Sequence, residues 1–373
     1  MLILVRIYKS FVLLFVFGII AYGFQCNSEK NPNINNNAVD ASKETYSISS
    51  KINKLINCDT FPKINYSKIK ILSIKHLNQI FAKFRQSAIK PDDTYDYLRI
   101  LRTLNRKELR FFHPGDSIVV PDNIYRNILA YSAFPQCYPD AINLKKILMV
   151  SNKLQCYGCY EYGRLVRFAA VNSGKERTQT YPGRYALNWR ERVHKSSIDS
   201  NWVMPFTWNF HREAGNAFHQ FDMPGRPVSH SCCRQFAEDA QWLWYWGEGI
   251  KRDSNRRLIP FSGTPVIIID HFDYSRKHGG PWLELASNKD GTLQLPKSPM
   301  DVEEALIPIC QIPKESRGTL HNLQRYIHAE DTLRAHGIIR PGVKLIETKN
   351  FNKLRQEKAK REAKEKLGKT SLQ

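Results

Sequence analysis

"FHQFDMPGRPVSHSCCRQFAEDAQWLWYW", residues 218–246, decides how this chain folds. Its start continues an alternating pattern that stops at Pro224-Gly225, and its end changes to helical spacing. Phe236, Ala240 and Leu243 share one helical face, and Gly247 follows as a C-terminal stop. A strand, a Pro-Gly-rich loop and a helix are therefore expected in that order. Cys232 and Cys233 sit between loop and helix, with His219 upstream in the strand and His230 two residues before Cys232. A thiol at a helix N-terminus beside an imidazole is expected to have a lowered pKa, since both favour thiolate. Thiolate plus a histidine base is suited to acyl transfer through a thioester, with backbone N–H groups of the turn holding the oxyanion.

The surrounding sequence supplies a sheet for this site. "YGRLVRFAAVNSG" (162–174), "YPGRYALNWRERVH" (181–194), "NWVMPFTWNF" (201–210) and "AGNAFHQFDMPG" (214–225) alternate apolar and polar positions between Gly and Pro turns. "GTPVIIID" (263–270) reads as a buried strand. A mainly β catalytic domain over 151–275 follows, a sandwich or barrel with a helix after the thiol. A small helical or α+β region precedes it. "PWLELASNKDGTLQLP" and "RAHGIIRPGVKLIE" place further elements of a C-terminal extension, 276–350, packed on that domain. Residues 351–373 form a basic tail read as an exposed helix or frayed end.

At the other end, Arg6 and Lys9 precede an uncharged run from Phe11 to Phe24. Charge before a short apolar run marks a signal peptide or membrane anchor, so residues 1–26 are expected to export the chain to the cell envelope or periplasm. Cys26 is a candidate for lipid attachment, although Gln25 stands where a lipoprotein signal has a small residue. Residues 27–50, Asn-rich and poor in apolar positions, read as a disordered linker. Residues 51–150 form a basic helical spacer. Its "LRTLNRKELRFFHPGDSIVVPD" (101–122) resembles the close of a LysM module, a small wall-binding carbohydrate fold; a plain helical hairpin is the other reading.

The formal charge of +21 asks for an anionic partner. Export and the scattered distribution of lysines argue against nucleic acid and for a carboxylate-rich surface outside the cytoplasm. Membrane contact is expected through the N-terminal segment only. Eight cysteines in an exported chain permit disulfides. Cys58, Cys137, Cys156, Cys159 and Cys310 are candidates for structural roles, and "CYGC" (156–159) reads as a disulfide or two core thiols.

Residues 218–246 are similar to the signature of the L,D-transpeptidases (YkuD-type catalytic domain). The family has an upstream His, then Gly-x-Pro-x-Ser-His-Gly-Cys-hydrophobic-Arg and a helix. The flanking "GRLVRFAAVNSG", "YPGRYALNW" and "GTPVIII" extend the likeness over roughly Tyr157 to His271. The resemblance implies Cys232 as nucleophile, His219 as general base and His230 with Ser229 as the pair shaping the site. It matches Cys233 to the apolar residue after the thiol, and Arg234 to the residue bracing the loop and meeting a substrate carboxylate. Trp208 and Asn209 are further candidate substrate contacts. Ser231 stands where the family has Gly, at a cost of about 1–2 kcal/mol if the backbone is left-handed.

The implied substrate is peptidoglycan: a tetrapeptide stem is the donor, and a stem amine, an envelope-protein lysine, a free amino acid or water accepts the acyl group. The alternatives are an L,D-carboxypeptidase and a degenerate module that binds wall peptides. No cofactor or metal is implied. Zinc on His219, His230, Cys232 and Cys233 ranks low because neighbouring residues 232 and 233 hardly face one ion.

Overall fold

The computed structural model describes residues 57–86, 96–276 and 278–370. The export segment, Cys26 and the Asn-rich stretch lie outside the described residues.

The first described elements are β1 (Tyr66–Lys70), α1 (Ile74–Arg85), α2 (Leu98–Asn105) and β2 (Ser117–Pro121). β1 and β2 pair antiparallel, Tyr66 opposite Pro121, so the two helices are enclosed between paired strands. Ser73 caps α1 by accepting the His76 N–H, and α2 stops where Arg106 turns left-handed at φ +56°. Helical spacing sends Ile100, Leu101 and Leu104 of α2 inward. Its basic positions reach carboxylates instead: Arg99 pairs with Asp239 and Arg102 with Glu238. A Cys58–Cys137 disulfide ties the start of this region to the segment before the next sheet.

The next region holds β3 (Ile147–Ser151), β4 (Cys156–Glu161), β5 (Arg164–Ala170), β6 (Gly183–Ala186), β7 (Arg190–Lys195), β8 (Val203–His211), β9 (Asn216–Gln220) and β10 (Cys233–Gln235). After them come α3 (Ala237–Trp246) and β11 (Pro265–Ile268). Five strands form one sheet in the order β5-β4-β3-β11-β6, and four form a second in the order β10-β9-β8-β7. Two pairings are parallel, β3 with β11 and β9 with β10; the rest are antiparallel.

The five-stranded sheet is buried on both faces. Ile147, Met149 and Ile267 point to the core shared with α1, α2 and β2. Leu148, Val150, Val266 and Ile268 point to the core shared with the second sheet and α3. Successive strand residues face opposite ways, so a continuous apolar run feeds two cores at once. The same rule separates the "CYGC" cysteines: Cys156 lies in the first core and Cys159 in the second, both as free buried thiols. The expected mainly β domain with a helix after the thiol is what forms.

The C-terminal part adds Ala305, Ile307 and Ile312 to the second core, with Tyr326 and Leu333 of α4 (Leu323–Ala335). Gly183 lets it approach: at φ +129°, a Cβ there would stand 2.5 Å from the Ala305 Cα. Helix α5 (Phe351–Thr370) follows.

Candidate active site

The segment that carries the thiols is pinned to the turn after β5. Ser173 O accepts the N–H groups of Val228 and Ser229 at 2.9 and 3.0 Å. Lys175 N–H and Thr178 Oγ1 both donate to Ser229 O at 3.0 Å. Thr180 Oγ1 donates to Ser231 O, also at 3.0 Å. Asn172 exchanges two backbone hydrogen bonds with Arg234, and its Oδ1 accepts the Gly225 N–H. This docking requires Gly174, where a Cβ would fall 2.1 Å from Thr178 O. The "VNSG" stretch thus works as the bed of the loop, a role that its place at a strand end hinted at and its composition did not reveal.

Cys232 ends the loop and is half-buried, while Cys233 opens β10 and is fully buried in the second core. The helix begins only at Ala237, with Phe236 at its N-cap. The expectation of a thiol at a helix N-terminus is therefore corrected: a short strand intervenes, because residues 233–235 pair with Phe218–Gln220 of β9. Both thiols are free.

Cys232 and His219 line one cavity of about 160 Å³ with Ser196, Ile198, Trp202, Met204, Ala214, Gly215, Phe221, Ser229, His230 and Arg234. The lining is largely apolar, and this sets the electrostatics. Burial pushes the Cys232 thiol up to about 11; the Ala217 backbone hydrogen bond and the Arg234 charge pull the other way without compensating. The expected lowering is therefore reversed. Its Sγ–H also makes a long contact to Gly215 O, 3.9 Å. Burial likewise takes His219 down to about 4, against the raising effect of its hydrogen bond to Gln220. His219 Nδ1 lies 3.0 Å from Gln220 O, which can only accept, so Nδ1 carries the proton and Nε2 keeps its lone pair. At neutral pH the pair is a neutral thiol and a neutral imidazole.

His230 is placed on the outer lip. Its ring lies 4.8 Å from that of Trp202, and Lys175 Nζ donates to its Nε2 at 3.3 Å. Burial, then the Lys175 and Arg234 charges, lower its pKa to about 4. Arg234 packs its guanidinium over Phe221, 4.6 Å from the ring centre, and donates to Asp222 O at 3.2 Å while still lining the cavity. Ser229 Oγ donates to Cys232 O.

Ser231 does take the left-handed backbone, φ +77°. Its Oγ donates to Asn216 Oδ1 of β9 at 2.7 Å. One such hydrogen bond is worth about 1 kcal/mol net, of the same order as the left-handed cost. A serine is thereby tolerated where a glycine would be free of strain.

Two candidates fall outside the site. Trp208 is buried, its Nε1 donating to Leu243 O at 3.0 Å, and Asn209 is fully enclosed, its Nδ2 donating to His211 O. Neither borders the cavity, because both lie on inward or hydrogen-bonded positions of β8. Trp202 and Phe221 line the thiol cavity, Lys175 meets His230 and Asn216 meets Ser231, none of them singled out by composition. A larger cavity of about 640 Å³, bordered by Lys68, Lys107, His113 and Arg226, lies against residues 224–226 and contains no thiol. Among the described residues no group of three or more His, Cys, Asp or Glu is placed to hold a metal ion.

Residues 145–268 match the family model of the L,D-transpeptidase catalytic domain, YkuD. This segment is a YkuD-type domain. Among solved structures, the chain is similar to an L,D-transpeptidase from Stackebrandtia nassauensis, at 18% identity and a TM-score of 0.31. That match covers 51% of this chain and 76% of the other. An L,D-transpeptidase from Xylanimonas cellulosilytica matches at 19% identity and TM-score 0.30, over 56% of this chain and 100% of the other. One from Mycobacterium smegmatis matches at 14% identity and TM-score 0.28, over 34% of this chain and only 59% of that one. A comparison with curated proteins found no match. The YkuD match includes β3 to β11 and leaves the paired-strand region before it and the extension after it outside.

Proposed function

We propose that this chain is an exported peptidoglycan L,D-transpeptidase acting through Cys232. The observation that carries the proposal is that a thiol and an imidazole whose Nδ1 is engaged, leaving the Nε2 lone pair, line the same small cavity. In the proposed reaction Cys232 Sγ attacks the amide carbonyl after the third residue of a tetrapeptide stem, and His219 Nε2 takes the thiol proton. Backbone N–H groups of the turn stabilise the oxyanion. Collapse breaks the C–N bond, and His219 returns the proton to the departing D-amino acid, leaving a thioester. An amine acceptor then attacks this thioester and gives its proton to His219; as the S–C bond breaks, His219 passes that proton to the leaving sulfur, restoring the thiol and the neutral imidazole.

Arg234 and Lys175 give the lip a positive character suited to a stem carboxylate. In this reading the paired-strand region at 66–121 contacts the wall, which fits its β1-α1-α2-β2 order better than a bare helical spacer would. Acceptors are a stem amine, an envelope-protein lysine, a free amino acid or water.

One observation favours a different class. A thiol pushed up to about 11 behind a left-handed Ser231 also suits a domain that binds wall peptides without acylation. Incubation with a carbapenem decides between them. A mass increase on the native protein and none on Cys232→Ala supports the enzyme; no increase on either supports the binding module.

A further inference from the structure

One lip of the thiol cavity is the turn between β7 and β8, residues 196–202, which contributes Ser196, Ile198 and Trp202 to the lining. This turn is gripped from outside the YkuD segment by the first residues of α5. Asn352 engages it with every polar group it has except its carbonyl. Its backbone N–H donates to Ile198 O at 3.0 Å. Its Oδ1 accepts the Ser200 N–H at 2.8 Å. Its Nδ2 donates to Ser197 O at 2.9 Å and Ser196 O at 3.2 Å. Arg355, one turn along, donates to Asp199 Oδ1 at 2.8 Å and to Asn352 Oδ1 at 2.7 Å. Phe351 sets its edge against Trp202, centroids 6.4 Å apart, and Trp202 in turn lies on His230. The chain leading to α5 is itself fastened down, Ile346 N–H to Arg177 O and Thr348 N–H to Cys310 O. A rim held by this many directed bonds has a defined distance from the thiol, and a rim without them has only its own short turn to hold it.

We infer that Asn352 and Arg355 are positioning residues that fix the 196–202 rim over Cys232 and so set the bulk of the acyl donor that reaches the sulfur. The inference rests on the proposed reading of Cys232 as the nucleophile toward wall peptides. The basic C-terminal segment thereby gains a role in its first turn that its lysine-rich remainder does not share. Arg355 and Asn352 touch neither thiol nor imidazole, so their effect is expected on donor admission and not on proton transfer.

The test uses the full chain and two alkylating reagents of different size, iodoacetamide and fluorescein maleimide, with modification at Cys232 read by peptide mass. In the Asn352→Ala/Arg355→Ala double variant, fluorescein maleimide should modify Cys232 about ten-fold faster, as expected for loss of a few side-chain hydrogen bonds. Iodoacetamide, small enough to pass the intact rim, should change by less than about two-fold. Arg355→Lys should stay near the native ratio, because the ammonium still reaches Asp199. With a tetrapeptide stem as donor, the double variant should raise KM about ten-fold and leave kcat within about two-fold. Equal acceleration of both reagents, no change in either, or a fall in kcat at constant KM would overturn the inference. Native protein that alkylates with the predicted size selection yet never turns over a stem would instead remove the proposed function and leave the rim assignment standing.

Discussion

Two walls of one cavity are built in opposite ways. The thiol wall, Ser229–Arg234, is a local object: six consecutive residues pinned to the Asn172–Gly174 turn and paired with the neighbouring strand β9. The rim wall, residues 196–202, is held by Asn352 and Arg355, about 150 positions later in the chain. The thiol and imidazole are therefore placed by contacts made inside the 145–268 segment, whereas the rim beside them is held by a contact from outside that segment. A motif can carry its chemistry from one protein to another while the size of its substrate is decided elsewhere.

The sharpest way to separate the two walls is to remove the sulfur. Cys232→Ala should lower thioester formation with a stem donor by at least about 10³-fold, while Cys233→Ala, which only vacates core volume, should cost about 1 kcal/mol of stability. Acylation measured by intact mass and unfolding by denaturant titration would check this contrast. Comparable loss of acylation in both variants would show that the wrong thiol has been assigned.

The pH response is next in size. His219 and His211 are both buried and both lowered to about 4. Each binds a proton in the unfolded chain near pH 6.5 but resists it when folded. Stability is therefore full above about pH 6.5 and is lost as pH falls toward 4, at about 1.4 kcal/mol per pH unit for each histidine. Thermal unfolding between pH 7 and 4.5 should show this decline. Acylation should run level across pH 6–9, since the imidazole is already neutral and the thiol still protonated there. A ten-fold rise per pH unit would mean that preformed thiolate is the attacking species and that His219 is idle.

A smaller effect probes the rim. Trp202→Ala removes the ring between His230 and Phe351 and should raise the donor KM about ten-fold with little change in kcat, as read by steady-state kinetics. The smallest belongs to the thiol wall. Ser231→Gly relieves a left-handed serine and deletes its bond to Asn216, so stability should move by less than about 1 kcal/mol in calorimetry.

Much of the architecture was legible beforehand because it follows from period. The buried run "GTPVIIID" became β11, and the Phe236, Ala240 and Leu243 spacing became α3 with its stop at Gly247, whereas β3 (Ile147–Ser151) begins within the stretch read as a helical spacer. The strand after the thiol was missed because Cys233–Gln235 is only three residues long and exists by pairing with β9. Trp208 and Asn209, expected as substrate contacts, lie away from the thiol cavity for a related reason: position on β8 decides which way a side chain faces, and composition does not. Residues 351–373 read as an exposed helix or frayed end with no contact to the domain, because their charge conceals the uncharged Phe351-Asn352 pair at the start.

By itself the amino-acid sequence determined the alternation of faces, the strand-loop-helix order and the presence of a cysteine, a histidine and an arginine at motif spacing. Those are properties of neighbours a few residues apart. Only the tertiary structure decided that the thiol is raised and not lowered, that Ser231 is held by Asn216, and that the C-terminal helix grips the rim. Desolvation and directed hydrogen bonds depend on which distant atoms surround a group, and that is settled only when both sheets and the C-terminal segment have closed around the cavity.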